Sequence, residues 1–239
     1  MAEDLAQQYY ERAHQLIDEI FVSQSSELEA AGTLVAETIE RDRLVYTLGS
    51  GHSLTVAAEL YFRAGGLANF DIIHDKTFGR AERLTGYAKI LMDSYPINSD
   101  DLLIIVSNSG RNPLPVEMAL EAKQRGIRTI GITSLRHSQA ATARNESGHR
   151  LFEVCDVVID NRGVPGDAIV DIGVAEGIRI APTSTLSGIF ISNCIVCVAV
   201  QKLMEKGVRP PVFVSANLDA GDECNRPLLQ FIRERIRGL

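Results

Sequence analysis

The stretch Leu44-Val45-Tyr46-Thr47-Leu48-Gly49-Ser50-Gly51-His52-Ser53 decides how the rest of the chain is read. Its first five residues, mostly apolar, suit a buried parallel strand, and Gly-Ser-Gly-His-Ser has the composition of a tight turn. From Leu54 to Gly65 apolar residues return at helical spacing, at Val56, Ala57, Leu60, Tyr61 and Ala64. A strand that runs through a glycine turn into a helix leaves backbone N–H groups unpaired at the helix start, aimed above the strand end. Ser50 and Ser53 add hydroxyl donors there. Such a turn suits an anion.

Upstream, Asp4 to about Glu40 is helical in period, with Gly32 and the Ser23–Ser26 cluster as bending or breaking points. About 43 residues precede the first strand, too few and not basic enough for a helix-turn-helix domain. They read as a helical arm packing on the domain or on a second subunit. Downstream, Phe70–His74 is a second strand, followed by helical pieces over Gly79–Leu84 and Tyr87–Ser94. Asp101–Val106 is the most continuous apolar strand, and it ends in Ser107-Asn108-Ser109-Gly110-Arg111-Asn112-Pro113. Asn112 and Pro113 make a helix start, N-cap then first helical position, with Gly126 as the stop. Ile127–Thr133 and Asp156–Asp160 complete five strands, with a helix over Leu135–Ala143 between them. Ala168–Ile172 and Ile178–Ala181 fit a small hairpin at a sheet edge. Ser184–Lys206 is a long buried helix, Val212–Ser215 is short and extended, and Asn225–Arg237 is a terminal helix.

Strands alternating with helices imply an α/β fold whose parallel sheet is covered on both faces, a three-layer αβα sandwich. With right-handed crossovers, the simplest order for five strands is 2-1-3-4-5. The first and third strands are then neighbours, and the winding reverses between them. Ligands bind in the crevice outside the strands' C-terminal ends at such a reversal. The two turns that open there are 49–53 and 107–112, the richest in serine and glycine. No repeat or linker divides the chain, so one domain is expected: a helical arm over 1–43, a core over 44–206, and a tail and helix over 207–239.

The 239 residues carry a net charge of −7, which argues against nonspecific nucleic-acid binding and makes any anion site depend on local dipoles. The acidic N-terminus lacks the basic and apolar regions of a signal peptide. Ile189–Leu203 is the nearest approach to a membrane span, and Ser192, Asn193 and Gln201 interrupt it, so no membrane role is expected. Cys194 and Cys197, inside that helical run, read as core packing, and Cys155 and Cys224 have no spacing partner. A reducing cytoplasm is the expected setting. No pair of histidines has metal-ligand spacing, so no metal is expected.

Three anion readings compete. Gly49-x-Gly51 begins a dinucleotide fingerprint and Asp75 follows the second strand, which would make an NAD-dependent oxidoreductase, but Leu54 stands where the third glycine belongs. A P-loop lacks its Gly-Lys-Ser/Thr. The third reading is a monophosphate site built from both turns, using Ser50, Ser53, Ser107 and Ser109 with two helix N-termini and no cofactor.

Gly-Ser-Gly-His-Ser (49–53) after one strand, with Ser-Asn-Ser-Gly-Arg-Asn (107–112) after the central one, resembles the sugar isomerase (SIS) domain family. The closest likeness is to its single-domain bacterial branch. Ala181-Pro182-Thr183-Ser184-Thr185-Leu186-Ser187-Gly188 is similar to the segment that opens the last core helix there, and the likeness spans about Leu5 to Leu239. Many members have Thr where Asn112 stands. The resemblance implies a flavodoxin-like sandwich, a homodimer or homotetramer, and binding of a phosphorylated sugar. It places the phosphate on Ser53, Ser107, Ser109 and Asn112, within turns that also include Gly49, Ser50, Gly51, Asn108 and Gly110, and puts Thr183 and Ser184 at the pocket's border. The family holds aldose–ketose isomerases, a sugar lactyl-ether etherase and non-catalytic sugar-phosphate sensors, so isomerase, lyase and sensor all stay open.

Isomerisation needs a base to move a proton between C1 and C2, and a carboxylate or imidazole suffices. Glu59, on the helix after the first turn and among apolar neighbours, is the leading candidate, against an ordinary ion pair with Arg63 at i+4. Family isomerases place their glutamate about one turn farther along. His52 inside the turn and His74 at the end of the second strand are further acid/base candidates, and His137 could reach over the crevice. In the acidic stretch before the last helix the branch often reads Glu-His-Asn; here it is Glu223-Cys224-Asn225, which leaves Glu223 as a candidate that could serve a neighbouring subunit.

Overall fold

Leu102, Leu103, Ile104, Ile105 and Val106 are all buried, and they form β3, the middle strand of the sheet. Their side chains alternate between two hydrophobic cores, with Leu102, Ile104 and Val106 on one face and Leu103 and Ile105 on the other. A strand buried on both faces must be apolar throughout. At roughly 1.5–3 kcal/mol for each large side chain removed from water, this strand is a main anchor of the fold. The computed structural model describes residues 4–174, 177–233 and 235–236.

Around β3 lie β1 (Val45–Gly49), β2 (Phe70–Ile73), β4 (Arg128–Thr133) and β5 (Val157–Asp160), all parallel, in the order β2-β1-β3-β4-β5. The expected 2-1-3-4-5 sandwich is therefore the observed one. One face is covered by α2 (Ser25–Glu40), α3 (Ser53–Glu59) and α7 (Ser184–Glu205), and α1 (Leu5–Ser23) adds Ile20 to that core. The other face carries α4 (Tyr87–Asp93), α5 (Pro113–Gln124) and α8 (Gly221–Arg233). The short α6 (Leu135–Ala140) follows β4.

The expected N-terminal arm divides at Gln24, whose backbone N–H closes α1 on Ile20 and whose side chain reaches the N–H of Asp160. Its second half is a layer of the sandwich: Leu28, Ala31, Val35, Ala36 and Ile39 are core residues. Gly32 does not break the helix. A Cβ there would lie 2.4 Å from the Val198 side chain, so glycine lets α2 and α7 approach closely.

Other expected elements change. The helix after the first turn stops at Glu59, and Phe62 has φ +39°, where the backbone can no longer be helical. Residues 79–84 form successive turns instead of a helix, pinned by Asp75. The hairpin exists as β6 (Ala168–Asp171) against β7 (Arg179–Pro182), but it makes a separate two-stranded antiparallel sheet. α8 starts four residues before Asn225, because that side chain is not a cap. Its amide accepts from the Val214 N–H at 2.9 Å and donates to the Val214 carbonyl at 2.7 Å. The expected helix end at Arg237 lies outside the described residues. Cys194 is partly buried and packs against the core as expected, but Cys197 is exposed, a correction to the core reading. The buried stripe of α7 runs through Ile191, Ile195 and Ala199, and Cys197 points away from it. By length and composition α7 could cross a membrane, yet that stripe packs into the sandwich core.

Candidate functional site

The register of the sheet sets the site. Gly49 at the end of β1 pairs with Val106 at the end of β3, so Ser50 and Ser107 leave the sheet side by side. A cavity of about 240 Å³ opens between them. Ser50 and Ser53 line it from the first turn, and Ser107, Asn108, Ser109 and Asn112 from the second. Glu82 and His137 complete the polar wall. A larger hollow of about 480 Å³ lies at the opposite edge of the sheet, by Leu44 and Asp101. Two of its arginines are already paired, Arg43 with Asp100 and Arg235 with Asp42.

Gly49 is required by space. A Cβ there would lie 2.1 Å from the carbonyl oxygen of Ser53, so only glycine lets the turn fold back this tightly. Gly51 and Gly110 shape the turns without lining the cavity, and the Gly110 N–H donates to Ser107 Oγ at 3.2 Å. The donors differ from those expected of two helix starts. Pro113 and Pro115 have no N–H, and the Leu114 N–H between them donates to the Glu82 carbonyl at 3.0 Å. In α3 the N–H groups of Ser53, Leu54 and Thr55 close back onto 50, 51 and 52. The available donors therefore belong to the turns: the N–H groups of Asn108, Ser109, Arg111 and Asn112 make no hydrogen bond to described residues, nor do the hydroxyls of Ser53 and Ser109.

Asp75 ties the first turn to the segment after β2. It is 3% exposed, and its carboxylate accepts from Thr77 Oγ1 (2.6 Å), Gly79 N (2.8 Å), Thr77 N (3.0 Å), Ser50 Oγ (3.1 Å) and Tyr87 Oη (3.2 Å). Burial alone would raise its pKa; the hydrogen bonds from Thr77, Gly79 and Ser50 outweigh that and hold it below the ordinary 3.8. An acid so fully occupied has no capacity left for a ribose diol, so the dinucleotide reading loses its key residue. A folded-state pKa below the unfolded one stabilises above the unfolded value, and that stabilisation is lost as pH falls through the folded value. The melting temperature of the wild type should therefore exceed that of Asp75→Asn by a constant margin above about pH 5, and the margin should narrow below 3.8. A margin that widened in acid would sink this account.

Among the described residues Glu82 is the one carboxylate lining the cavity. Asn112 Nδ2 donates to its Oε1 at 2.8 Å, so Asn112 marks the helix start by backbone geometry and spends its side chain elsewhere. Burial pushes the Glu82 carboxyl above its ordinary value; Arg83 opposes this, Asp75 reinforces it, and Ser50 and Arg144 also pull it down. Burial lowers the pKa of His137, and the charge of Arg111 lowers it further, leaving the imidazole neutral at pH 7. His137 Nδ1 and Asn112 Oδ1 are buried without a hydrogen-bond partner. Buried polar atoms are normally paired, so two unpaired ones on one cavity mark where a ligand's groups belong. Sequence reading passed over Glu82 by placing it mid-helix; the signal available was that the segment after β2 also opens at the C-terminal edge of the sheet.

The remaining candidates lie off the cavity. Glu59, at the end of α3, pairs with Arg63 and accepts from Asn193 Nδ2 on α7 at 3.3 Å. His52 is exposed and stands edge-on to Phe78, with ring centroids 6.3 Å apart. His74 is exposed beyond β2, its backbone N–H donating to Tyr95 Oη at 2.9 Å. Glu223 is exposed in the first turn of α8. Thr183 and Ser184 give their N–H groups to Asp167 Oδ1 at 3.1 and 2.8 Å, and Ser184 Oγ donates to Oδ2 at 2.6 Å. They fasten α7 to the hairpin. Among the described residues no three His, Cys, Asp or Glu side chains gather where a metal could sit.

The SIS domain family model matches residues 8–134. A UPF0309 protein of Shouchella clausii is 38% identical over 240 residues, covering 96% of this chain and 97% of its own length. Another, of Geobacillus thermodenitrificans, is 36% identical over 238 residues, with 96% and 95% covered. Among solved structures, a phosphoheptose isomerase from Francisella tularensis superposes with a TM-score of 0.58 at 17% identity, over 84% of this chain and 99% of that one. The phosphoheptose isomerase GmhA of Neisseria gonorrhoeae gives 0.53 at 19%, over 82% and 97%. At these identities the structural likeness is one of fold. Sequence agreement goes further: it runs along nearly the whole chain with the UPF0309 relatives, and by the family model, which matches more than half of its length, this protein is a member of the SIS domain family.

Proposed function

We propose that this protein binds a phosphorylated sugar and interconverts its aldose and ketose forms. The observation that carries the reading is Glu82, a half-buried carboxylate with a raised pKa on the wall of a cavity whose other polar side chains are hydroxyls, amides and the His137 imidazole. Family membership and the turn donors support the phosphate end. A cavity of about 240 Å³ falls below the roughly 300–1,000 Å³ typical of drug-sized ligand sites, which suits a monosaccharide phosphate better than a dinucleotide.

The phosphate sits against Ser53, Ser107 and Ser109 and the free N–H groups of Asn108, Ser109, Arg111 and Asn112, and the sugar carbons run toward Glu82. The carboxylate takes the C2 proton of the open-chain aldose. The electron pair left on C2 forms the C1–C2 double bond, and O1 takes up a proton to give an enediol. In this reading neutral His137, on the same wall, passes a proton between O2 and O1. Return of the carbon-bound proton to C1 gives the ketose, with no net oxidation.

Wild-type protein incubated with aldose 6-phosphates in deuterated water should incorporate deuterium at C2. Ligand-induced stabilisation without exchange would leave a sugar-phosphate binding module and remove the isomerase. The double variant S107A/S109A should weaken binding of glucitol 6-phosphate at least tenfold, since hydrogen bonds to a charged group contribute about 1.5–3 kcal/mol each. Unchanged affinity would move the phosphate elsewhere.

A further inference from the structure

Three arginines stand together at the rim of this cavity, close enough to act on one another, and among the described residues none is in an ion pair. Their closeness follows from backbone contacts. Leu114 and Asn112 both donate to Glu82, at 3.0 and 2.8 Å, which lays Arg83 beside the turn that carries Arg111. On the other side the Arg144 N–H and Asn145 Nδ2 both donate to the Arg111 carbonyl oxygen, at 2.9 and 3.2 Å. Among the described residues none of these three forms an ion pair, whereas Arg63, Arg125, Arg128, Arg150 and Arg235 all do. Other arginines, such as Arg80 and Arg136, also lack an ion pair among the described residues; what sets these three apart is that they gather at one cavity rim. The Arg111 guanidinium has one bond, from Nη2 to Thr142 Oγ1 at 3.0 Å, and its Nε is buried without a partner.

Gathering unpaired like charges opposes folding, and a bound anion relieves it. The charges also reach the cavity: Arg83 and Arg144 act on Glu82, and Arg111 acts on His137. None of the three lines the cavity itself, where turn N–H groups and serine hydroxyls already suffice for one phosphate.

We propose that Arg83, Arg111 and Arg144 form a second anion subsite on the rim, so that the substrate is a phosphosugar with a second acid group, a carboxylate or a second phosphate, remote from the first. This rests on the phosphosugar reading above. The test compares wild-type binding of glucitol 6-phosphate, gluconate 6-phosphate and glucitol 1,6-bisphosphate, which differ at C1 in carrying an alcohol, a carboxylate or a phosphate. At least one of the two doubly acidic probes should bind about tenfold more tightly than glucitol 6-phosphate, and whichever gains more identifies the acid. In R83Q/R144Q, two changes at exposed positions, that ratio should fall to about one. Should the double variant melt early, R144Q alone should lower the ratio as well. Equal wild-type affinity for all three probes would overturn the subsite and leave phosphosugar binding standing. So would an advantage that survives substitution, or a uniform loss across the probes, since the arginines would then serve the single phosphate. No binding of any probe would overturn both readings.

Discussion

Glu82→Gln should lose deuterium exchange by about 10²–10⁴-fold while still binding glucitol 6-phosphate, since a general base contributes that much and the phosphate donors lie elsewhere. The substitution is nearly isosteric, and the introduced amide oxygen can still accept from Asn112 Nδ2, 2.8 Å from Oε1 in the native protein. Stability gives an independent check. A carboxyl whose folded-state pKa is raised costs stability once pH climbs past its unfolded value of 4.5 and through its folded value. At pH 7 Glu82→Gln should therefore melt no lower than wild type, and somewhat higher, with the difference vanishing below pH 4.5. Glu59→Gln is the matched comparison. Because Glu59 faces Arg63 and Asn193, that variant should keep its exchange. Full exchange in Glu82→Gln with loss in Glu59→Gln would reverse the assignment.

Gly49→Ala should destabilise the protein by roughly 3 kcal/mol or more, because the added carbon would sit 2.1 Å from one backbone atom and 2.4 Å from another in the same turn. For a domain of this size that corresponds to a fall of roughly 6–12 °C in melting temperature. The backbone must open to admit the methyl group, which carries Ser50 and Ser53 away from the second turn. Stabilisation by glucitol 6-phosphate should disappear with it. A variant that melted normally and still responded to the ligand would show that the turn is looser than described.

These two residues were unequally legible in the sequence. Gly49 stood in a strand–turn–helix pattern whose physics is local: an apolar run, then glycines, then helical spacing. The same local rules located the turn at 107–112, all five strands of the sheet and, through the handedness of crossovers, their order. Glu82 was not legible. It sits in a run of turns held by a buried Asp75 that receives donors from four residues, among them Ser50 and Tyr87, and no periodicity records such a knot. Glu59 misled for the complementary reason. Its place on the helix after the first turn was read correctly, but the helix ends there, and Arg63 and Asn193 take up its carboxylate. Thr183 and Ser184 likewise looked like ligand hydroxyls until Asp167 proved to be their partner.

Short-range regularities, the alternation of apolar strands with glycine turns and helices, were enough to establish the sandwich and to bring two hydroxyl-rich bends to one edge of it. They depend on backbone sterics and burial, which each segment expresses for itself. Which carboxylate faces the cavity, which donors stay free and which arginines gather unpaired were settled by packing alone, because each depends on side chains tens of residues apart competing for the same partners. Charge and hydrogen-bond capacity are shared quantities, and only the assembled fold divides them.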